Sequence, residues 1–192
     1  MQSLVLGSTS PFRKALLDKL GLPFVTCAPD IDETPLPDET PHDLVARLAE
    51  AKARDAAKRH SEALIIGSDQ VACIDDTIVG KPGSREKAIE QLRRAAGRSV
   101  VFFTGLCLYN ARTNQAQLVV EPFVVHFRTL TEEQIGRYVD REQPFNCAGG
   151  FKSEGHGITL FSSLEGRDPN TLVGLPLIRL VEMLEQEGVI LP

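Results

Sequence analysis

Two long apolar runs, 99–110 and 115–129, are separated by only a short polar turn. This feature constrains the chain more than any other. Runs rich in Val, Phe and Leu predict strands, and so short a connection joins antiparallel neighbours. Around this hairpin, strand and helix signals alternate. Strands are predicted over 3–7 and 23–27, and over 63–74 with an interruption at Gly67-Ser68-Asp69-Gln70. Ser10-Pro11 and Thr40-Pro41 each place a capping hydroxyl before a proline that suits the first helical position, opening helices that run to Leu20 and to about His60. Ser84 caps another helix, to about Ala96. Thr131 with Gln134 makes a capping box. Leu177, Leu180, Val181 and Leu184 mark a closing amphipathic helix. Asp75-Asp76 reads as a tight turn into Thr77–Gly80. A hairpin inside an α/β alternation predicts an α/β or α+β fold with a mixed sheet, not a purely doubly wound one. The expectation is a single domain over 1–192, with two lobes around a cleft as an elaboration.

Composition narrows the function. The formal net charge is −5, from 21 basic and 26 acidic residues. That argues against broad nucleic-acid binding, which needs a basic footprint. It leaves an anionic small substrate open, because local cations can override the global sign. Cys27, Cys73, Cys107 and Cys147 form no CxxC pair, and Cys73 and Cys107 sit in apolar runs. Buried thiols in a reducing compartment are expected, so a cytoplasmic protein. The beginning of the chain does not read as a signal peptide, and no run nears the roughly 20 apolar residues of a membrane span. His42, His60, His126 and His156 lack ligand spacing and read as surface or structural.

Six places could carry chemistry. Ser8-Thr9-Ser10-Pro11-Phe12-Arg13 ends a strand and starts a helix, where free N–H groups, hydroxyls and Arg13 suit an anion. An ordinary cap with a surface arginine is the alternative. Lys52 follows Val45 by seven residues, about 20° away around a helix of 3.6 residues per turn, so it lies on the apolar face. It either snorkels or reaches a polar cleft. Asp69 stands in an apolar strand, where a carboxylate needs a partner or a metal; a structural hydrogen-bonded Asp is the competing reading. In a regular strand Asp69 and Gln70 face opposite ways, so a site using both needs the strand to end or bulge. Lys81, in Gly80-Lys81-Pro82, is held extended by the proline. Asp32-Glu33-Thr34-Pro35 carries two carboxylates that could hold a hard cation. The sixth is 151–157, a Gly-rich segment containing Lys152, Glu154 and His156, either a binding loop or a solvated connector. Asp168-Pro169 reads as a cap and the start of a helical turn.

Taken together, STSPFRKALL, DETP, SDQV, GKP, the FFTG run and CAGGFKSEG resemble the Maf family of nucleotide pyrophosphatases over essentially the whole chain. SDQV, FKSEG and the ending DPNTLVGLPL resemble its 7-methyl-GTP branch more than its dTTP/UTP branch. The resemblance implies an elongated Maf/ITPase-like α/β fold with a central mixed sheet. It implies cleavage of a nucleoside triphosphate between the α and β phosphates with a divalent cation such as Mg²⁺, Mn²⁺ or Co²⁺. A homodimer is compatible with the sequence, which carries no interface signal of its own. Carried onto this chain, Asp69 becomes the proton acceptor. Ser8, Arg13, Lys52 and Lys81 match the phosphate-binding residues, and Glu33, with Asp69, matches the metal-linked acids. Phe12, Gln70 and Glu154 fall where base specificity is set, with Phe12 where close relatives are expected to have Trp. Two other readings remain: a Maf enzyme acting on dTTP and UTP, and a cell-division (septum) regulator that binds nucleotide without turnover.

Overall fold

The computed structural model describes residues 2–75 and 77–191. Its strands are β1 (Leu4–Leu6), β2 (Phe24–Thr26), β3 (Leu64–Ile74), β4 (Thr77–Val79), β5 (Ser99–Asn110), β6 (Gln115–Phe127) and β7 (Phe161–Glu165). Its helices are α1 (Pro11–Asp18), α2 (Pro41–Ala57), α3 (Arg85–Ala95), α4 (Glu132–Glu142), α5 (Asn170–Val173) and α6 (Leu177–Gln186). The sheet order is β2-β1-β3-β5-β6-β7, with β4 also on β3. β1 pairs parallel with both β2 and β3, whereas β3–β4 and β6–β7 are antiparallel. The sheet is mixed, as the hairpin requires. Asp75 has a φ of +48°, as a turn does; the other half of the expected Asp75-Asp76 turn lies outside the described residues. Among the described residues no helix is long and apolar enough to cross a membrane.

The helix starts are set locally. Ser10, Thr40, Ser84 and Thr131 each accept a backbone N–H from the third residue on. Thr131 and Gln134 close the reciprocal box. One expectation changes: β3 runs unbroken through Gly67–Gln70 instead of stopping there. Extended backbone is kept because the two sides of the strand meet different partners.

The chain forms two compact units. Unit 1 comprises Met1–Gln70, Phe103–Glu121 and Asp168–Pro192. Its sheet is covered on both faces. Leu4, Leu6, Leu64, Ile66, Leu106 and Leu108 pack against α1 and α6. The alternate residues Val5, Ala63, Ile65, Cys107 and Tyr109 pack under Ala49, Ala53 and Ala56 of α2. Two glycines let α2 come down onto the sheet. A Cβ on Gly67 would lie 2.1 Å from the Ala49 carbonyl oxygen, and one on Gly105 2.1 Å from that of Val45. The Tyr109 hydroxyl donates to Asn114 Oδ1 at 2.5 Å.

Unit 2 comprises Val71–Phe102 and Pro122–Arg167. Phe102, Phe127, Phe151 and Phe161 meet edge to face, with centroids 5.0–5.5 Å apart. The segment 151–157 is fastened to α4 through Lys152 and also through His156, whose Nδ1 lies 2.5 Å from Glu142 Oε1. Lys152 N donates to the Tyr138 hydroxyl at 2.9 Å, and Lys152 Nζ to the Glu142 carbonyl at 2.8 Å.

Candidate active site

Asp69 lies on the face of β3 that looks at α2. It is 8% exposed, and its Oδ1 accepts Lys52 Nζ at 2.6 Å. Lys52 is 6% exposed, and its ammonium also reaches Glu33 Oε1 at 2.9 Å. Of the two readings for a lysine on the apolar face of α2, the structure shows the polar one: the stem crosses the alanine-lined interface and the charge ends between two carboxylates. The absence of a side chain at Gly67, two residues before Asp69 and on the same face, allows the helix close enough for this contact.

Glu33 is brought there by a loop fastened to α2 at both ends. Asp55 Oδ2 accepts Asp30 N at 2.9 Å. Further along, Arg47 donates from Nε to Glu39 Oε1 at 2.5 Å, and from Nη2 to Glu39 Oε2 at 2.8 Å and to the Thr34 carbonyl at 3.1 Å. Arg47, with the Leu36 N–H also donating to this carboxylate, pulls the Glu39 pKa down from 4.5 to about 2. Asp32, next to Glu33 in this loop, accepts Thr34 N at 2.9 Å. That turn, through the Thr34 side chain and backbone, holds its pKa below the ordinary carboxylate value. Only Glu33 is turned to Lys52.

Arg13 stands in the first turn of α1. Its Nε donates to the Gly174 carbonyl at 2.9 Å, which also accepts Ser68 Oγ at 2.9 Å. Burial lowers the Arg13 pKa, while the fields of Asp69 and Glu33 act to raise it. A guanidinium keeps its charge under such a shift. Ser8 is buried, and its hydroxyl accepts Ser10 N at 3.1 Å, ordering the turn between β1 and α1. Phe12 is 40% exposed.

Gln70 follows Asp69 in the continuous strand β3 and takes the other face. Its Nε2 donates to Thr104 Oγ1 and to the Thr171 carbonyl, both at 2.8 Å. The structure therefore gathers Arg13, Glu33, Lys52 and Asp69 in one electrostatic cluster, with Ser8 and Phe12 preceding Arg13 in the same turn and helix start, and sends Gln70 to the α5 segment. That segment is organised by Asp168, 2% exposed, which accepts Asn170 N at 2.8 Å and Ile178 N at 2.9 Å. The expected Asp168 bond is made, to Asn170 N, but α5 begins one residue later than expected, at Asn170 with Pro169 before it; Asp168 also holds the start of α6. Lys81 and Glu154 belong to unit 2. Lys81 is exposed beside a loop held by Gln91 Nε2 on the Gly80 carbonyl at 3.0 Å; Glu154 is exposed and accepts Ser153 Oγ at 3.2 Å. Among the described residues no group of three or more His, Cys, Asp or Glu could hold a metal.

Ser68, Gly174, Arg47 and Glu39 are the supporting residues that sequence reasoning did not single out. Ser68 sits in SDQV and was within reach; a lone carbonyl such as that of Gly174 leaves no residue-type signal. Chemically, the cluster offers two cations for an anion and one buried, positioned carboxylate for a proton.

A family profile described as Maf-like protein matches residues 3–187. The 7-methyl-GTP pyrophosphatase of Nitrosococcus oceani is 61% identical over 186 residues, covering 97% of this chain and 94% of its own. That of Vibrio cholerae is 59% identical over 185 residues, 96% and 95% of the two chains. That of Alcanivorax borkumensis is 60% identical over 190 residues, 99% and 96%.

Proposed function

We propose that this chain, which belongs to the Maf-like protein family, hydrolyses 7-methyl-GTP between the α and β phosphates, giving 7-methyl-GMP and diphosphate. Such a reaction removes a modified nucleotide before it enters nucleic acid. The observation that carries the chemical part is the buried Asp69 carboxylate, held at 2.6 Å by Lys52 with Arg13 in its field.

In the proposed mechanism a water attacks the α phosphorus. Asp69 accepts its proton as the new P–O bond forms, and the β-phosphate oxygen leaves with the diphosphate. Arg13, Lys52 and the N-terminal end of α1 offset the charge that builds on the phosphate oxygens. Ser8 keeps the turn beneath them ordered. The role of Lys81 as a further phosphate contact comes from the family resemblance and is part of the proposal.

Glu33 and Asp69 fit a divalent cation of the Mg²⁺ type. Both already contact one cationic centre, and such ions take one or two carboxylates and draw their other ligands from water and substrate phosphates. When bound, the cation neutralises phosphate charge and acidifies water.

For the base, N7-methylation makes guanine cationic. The exposed face of Phe12 suits a cation, a contact of about 0.5–2 kcal/mol. Glu154 is proposed to accept from the guanine N1–H and N2–H₂ donors. Gln70 enters this account through the α5 segment it holds, next to the Gly174 carbonyl that anchors Arg13. A cytoplasmic location, where nucleotides and free thiols are both found, belongs to the same proposal.

The test is diphosphate release from a nucleotide panel with Mg²⁺, Mn²⁺ or Co²⁺. Wild type should prefer 7-methyl-GTP, and Asp69→Asn should lose about 10²–10⁴-fold in rate. Preference for dTTP or UTP would sink the substrate reading. An unimpaired Asp69→Asn would sink the role of Asp69, and nucleotide binding without turnover of any nucleotide would favour a regulator.

A further inference from the structure

Lys52 occupies a singular position. Its ammonium lies 2.6 Å from Asp69 Oδ1 and 2.9 Å from Glu33 Oε1, with the side chain almost wholly buried. These are the same two carboxylates that, on the functional reading above, hold the divalent cation. A lysine ammonium held between them opposes a divalent cation at the same place. At separations of a few ångströms, like charges repel by kilocalories even at the effective dielectric of a protein surface.

The lysine is held there by the backbone as well as by charge. The close seating of α2 over Gly67 brings Lys52 within reach of Asp69, and the loop fastened by Asp55 and Arg47 brings Glu33 over it. With Lys52 in place, the buried Asp69 carboxylate is paired, and the exposed Glu33 carboxylate is paired with the same ammonium. The nucleotide-free protein therefore has little reason to take up metal.

We propose that Lys52 is a built-in counter-ion that keeps divalent cations off Asp69 and Glu33 until a triphosphate draws the ammonium away. The phosphate chain offers Lys52 a more highly charged partner, and the same phosphates supply the oxygens that a Mg²⁺-type ion needs beyond two carboxylates. Metal and nucleotide are then taken up together, and Lys52 serves as both the plug and the phosphate contact.

The test is Mn²⁺ titration of the full-length protein without nucleotide, read by electron paramagnetic resonance or calorimetry. Lys52→Met, which keeps the length and removes the charge, should bind Mn²⁺ at least about tenfold more tightly than wild type, from loss of the local repulsion. Adding Asp69→Asn to that variant should abolish the gain. With α,β-methylene-GTP present, wild type should close most of the gap. Should Lys52→Met fail to fold, Lys52→Gln retains a donor to Asp69 without a charge and is expected to show the same gain. Equal affinities of wild type and the lysine variants, whether tight or undetectable, would overturn the proposal. Turnover of 7-methyl-GTP is measured on the same wild-type preparation, so the two ideas fail separately. Turnover with equal Mn²⁺ affinities removes the counter-ion role alone. Tighter Mn²⁺ binding by Lys52→Met with no wild-type turnover removes the function alone.

Discussion

Asp69 and Gln70 are adjacent in β3 and serve opposite sides of the sheet: the carboxylate meets Lys52 of α2, and the carboxamide meets Thr104 and the Thr171 carbonyl beside α5. Substitutions at the two positions should therefore have different signatures. Gln70→Ala removes a donor from part-buried acceptors, at about 1–3 kcal/mol. It is expected to lower the melting temperature and to raise KM through the α5 segment, while kcat changes less. Asp69→Asn should act mainly on kcat. Steady-state kinetics with thermal melts on both variants check the separation.

The seat of α2 gives a second expectation. Gly67→Ala forces a methyl group against the Ala49 carbonyl, and overpacking of this kind costs about 1–3 kcal/mol or more. Activity should fall as well, because Lys52 rides on the displaced helix. Gly136→Ala in α4, where an added Cβ meets nothing within 4 Å, should instead stabilise by about 1 kcal/mol through better helix propensity. Denaturant melts of the two variants should move in opposite directions.

The Arg47–Glu39 pair sets a pH dependence. Glu39 has a folded pKa of about 2 against an ordinary 4.5, so the unfolded chain takes the proton first. The pair favours the fold fully above about pH 4.5, and its contribution fades as pH falls from 4.5 towards 2. The difference in melting temperature between wild type and Glu39→Gln should be constant near neutrality and shrink below pH 4.5. A difference that grows on acidification would contradict the assignment.

Thiol labelling should single out Cys147. Cys27, Cys73 and Cys107 are buried, and burial pushes the Cys107 thiol up to about 12. Cys147 is only part-buried. Its pKa is raised by desolvation too, with Glu154 and Glu142 adding to the rise and Lys152 and Lys81 opposing it. Alkylation of the native protein near pH 8, mapped by peptide mass, should modify Cys147 first and the other three only on unfolding.

Asp168 supports the segment that meets Arg13. Asp168→Ala leaves the Asn170 and Ile178 N–H groups without their acceptor, at about 1–3 kcal/mol each. Because Gly174 closes that segment, the variant should also weaken nucleotide binding, seen as a higher KM.

The parts of this structure legible in the sequence are those written in short stretches of chain. Ser10, Thr40, Ser84 and Thr131 announced their helices because a cap bonds three residues away. Asp69 stood out because a carboxylate in an apolar strand demands a partner. Which partner was another matter. Lys52 is 17 residues away on a helix whose angle allowed two outcomes, and the choice was made by the close approach over Gly67. The break expected in β3 did not occur, since Asp69 and Gln70 have separate partners and need no shared face. The anchoring of Arg13 on the Gly174 carbonyl, 161 residues on, was beyond reach, because every residue has a carbonyl and only the fold selects one.

The two tyrosines, Tyr109 on β5 and Tyr138 on α4, have a practical consequence. The chain contains no tryptophan and only these two tyrosines, so each unit carries a single tyrosine emitter of its own. Tyr109→Phe would leave an emission that reports on unit 2 alone, and Tyr138→Phe one that reports on unit 1. Nucleotide binding and unfolding can then be followed in each unit separately, without attaching any dye.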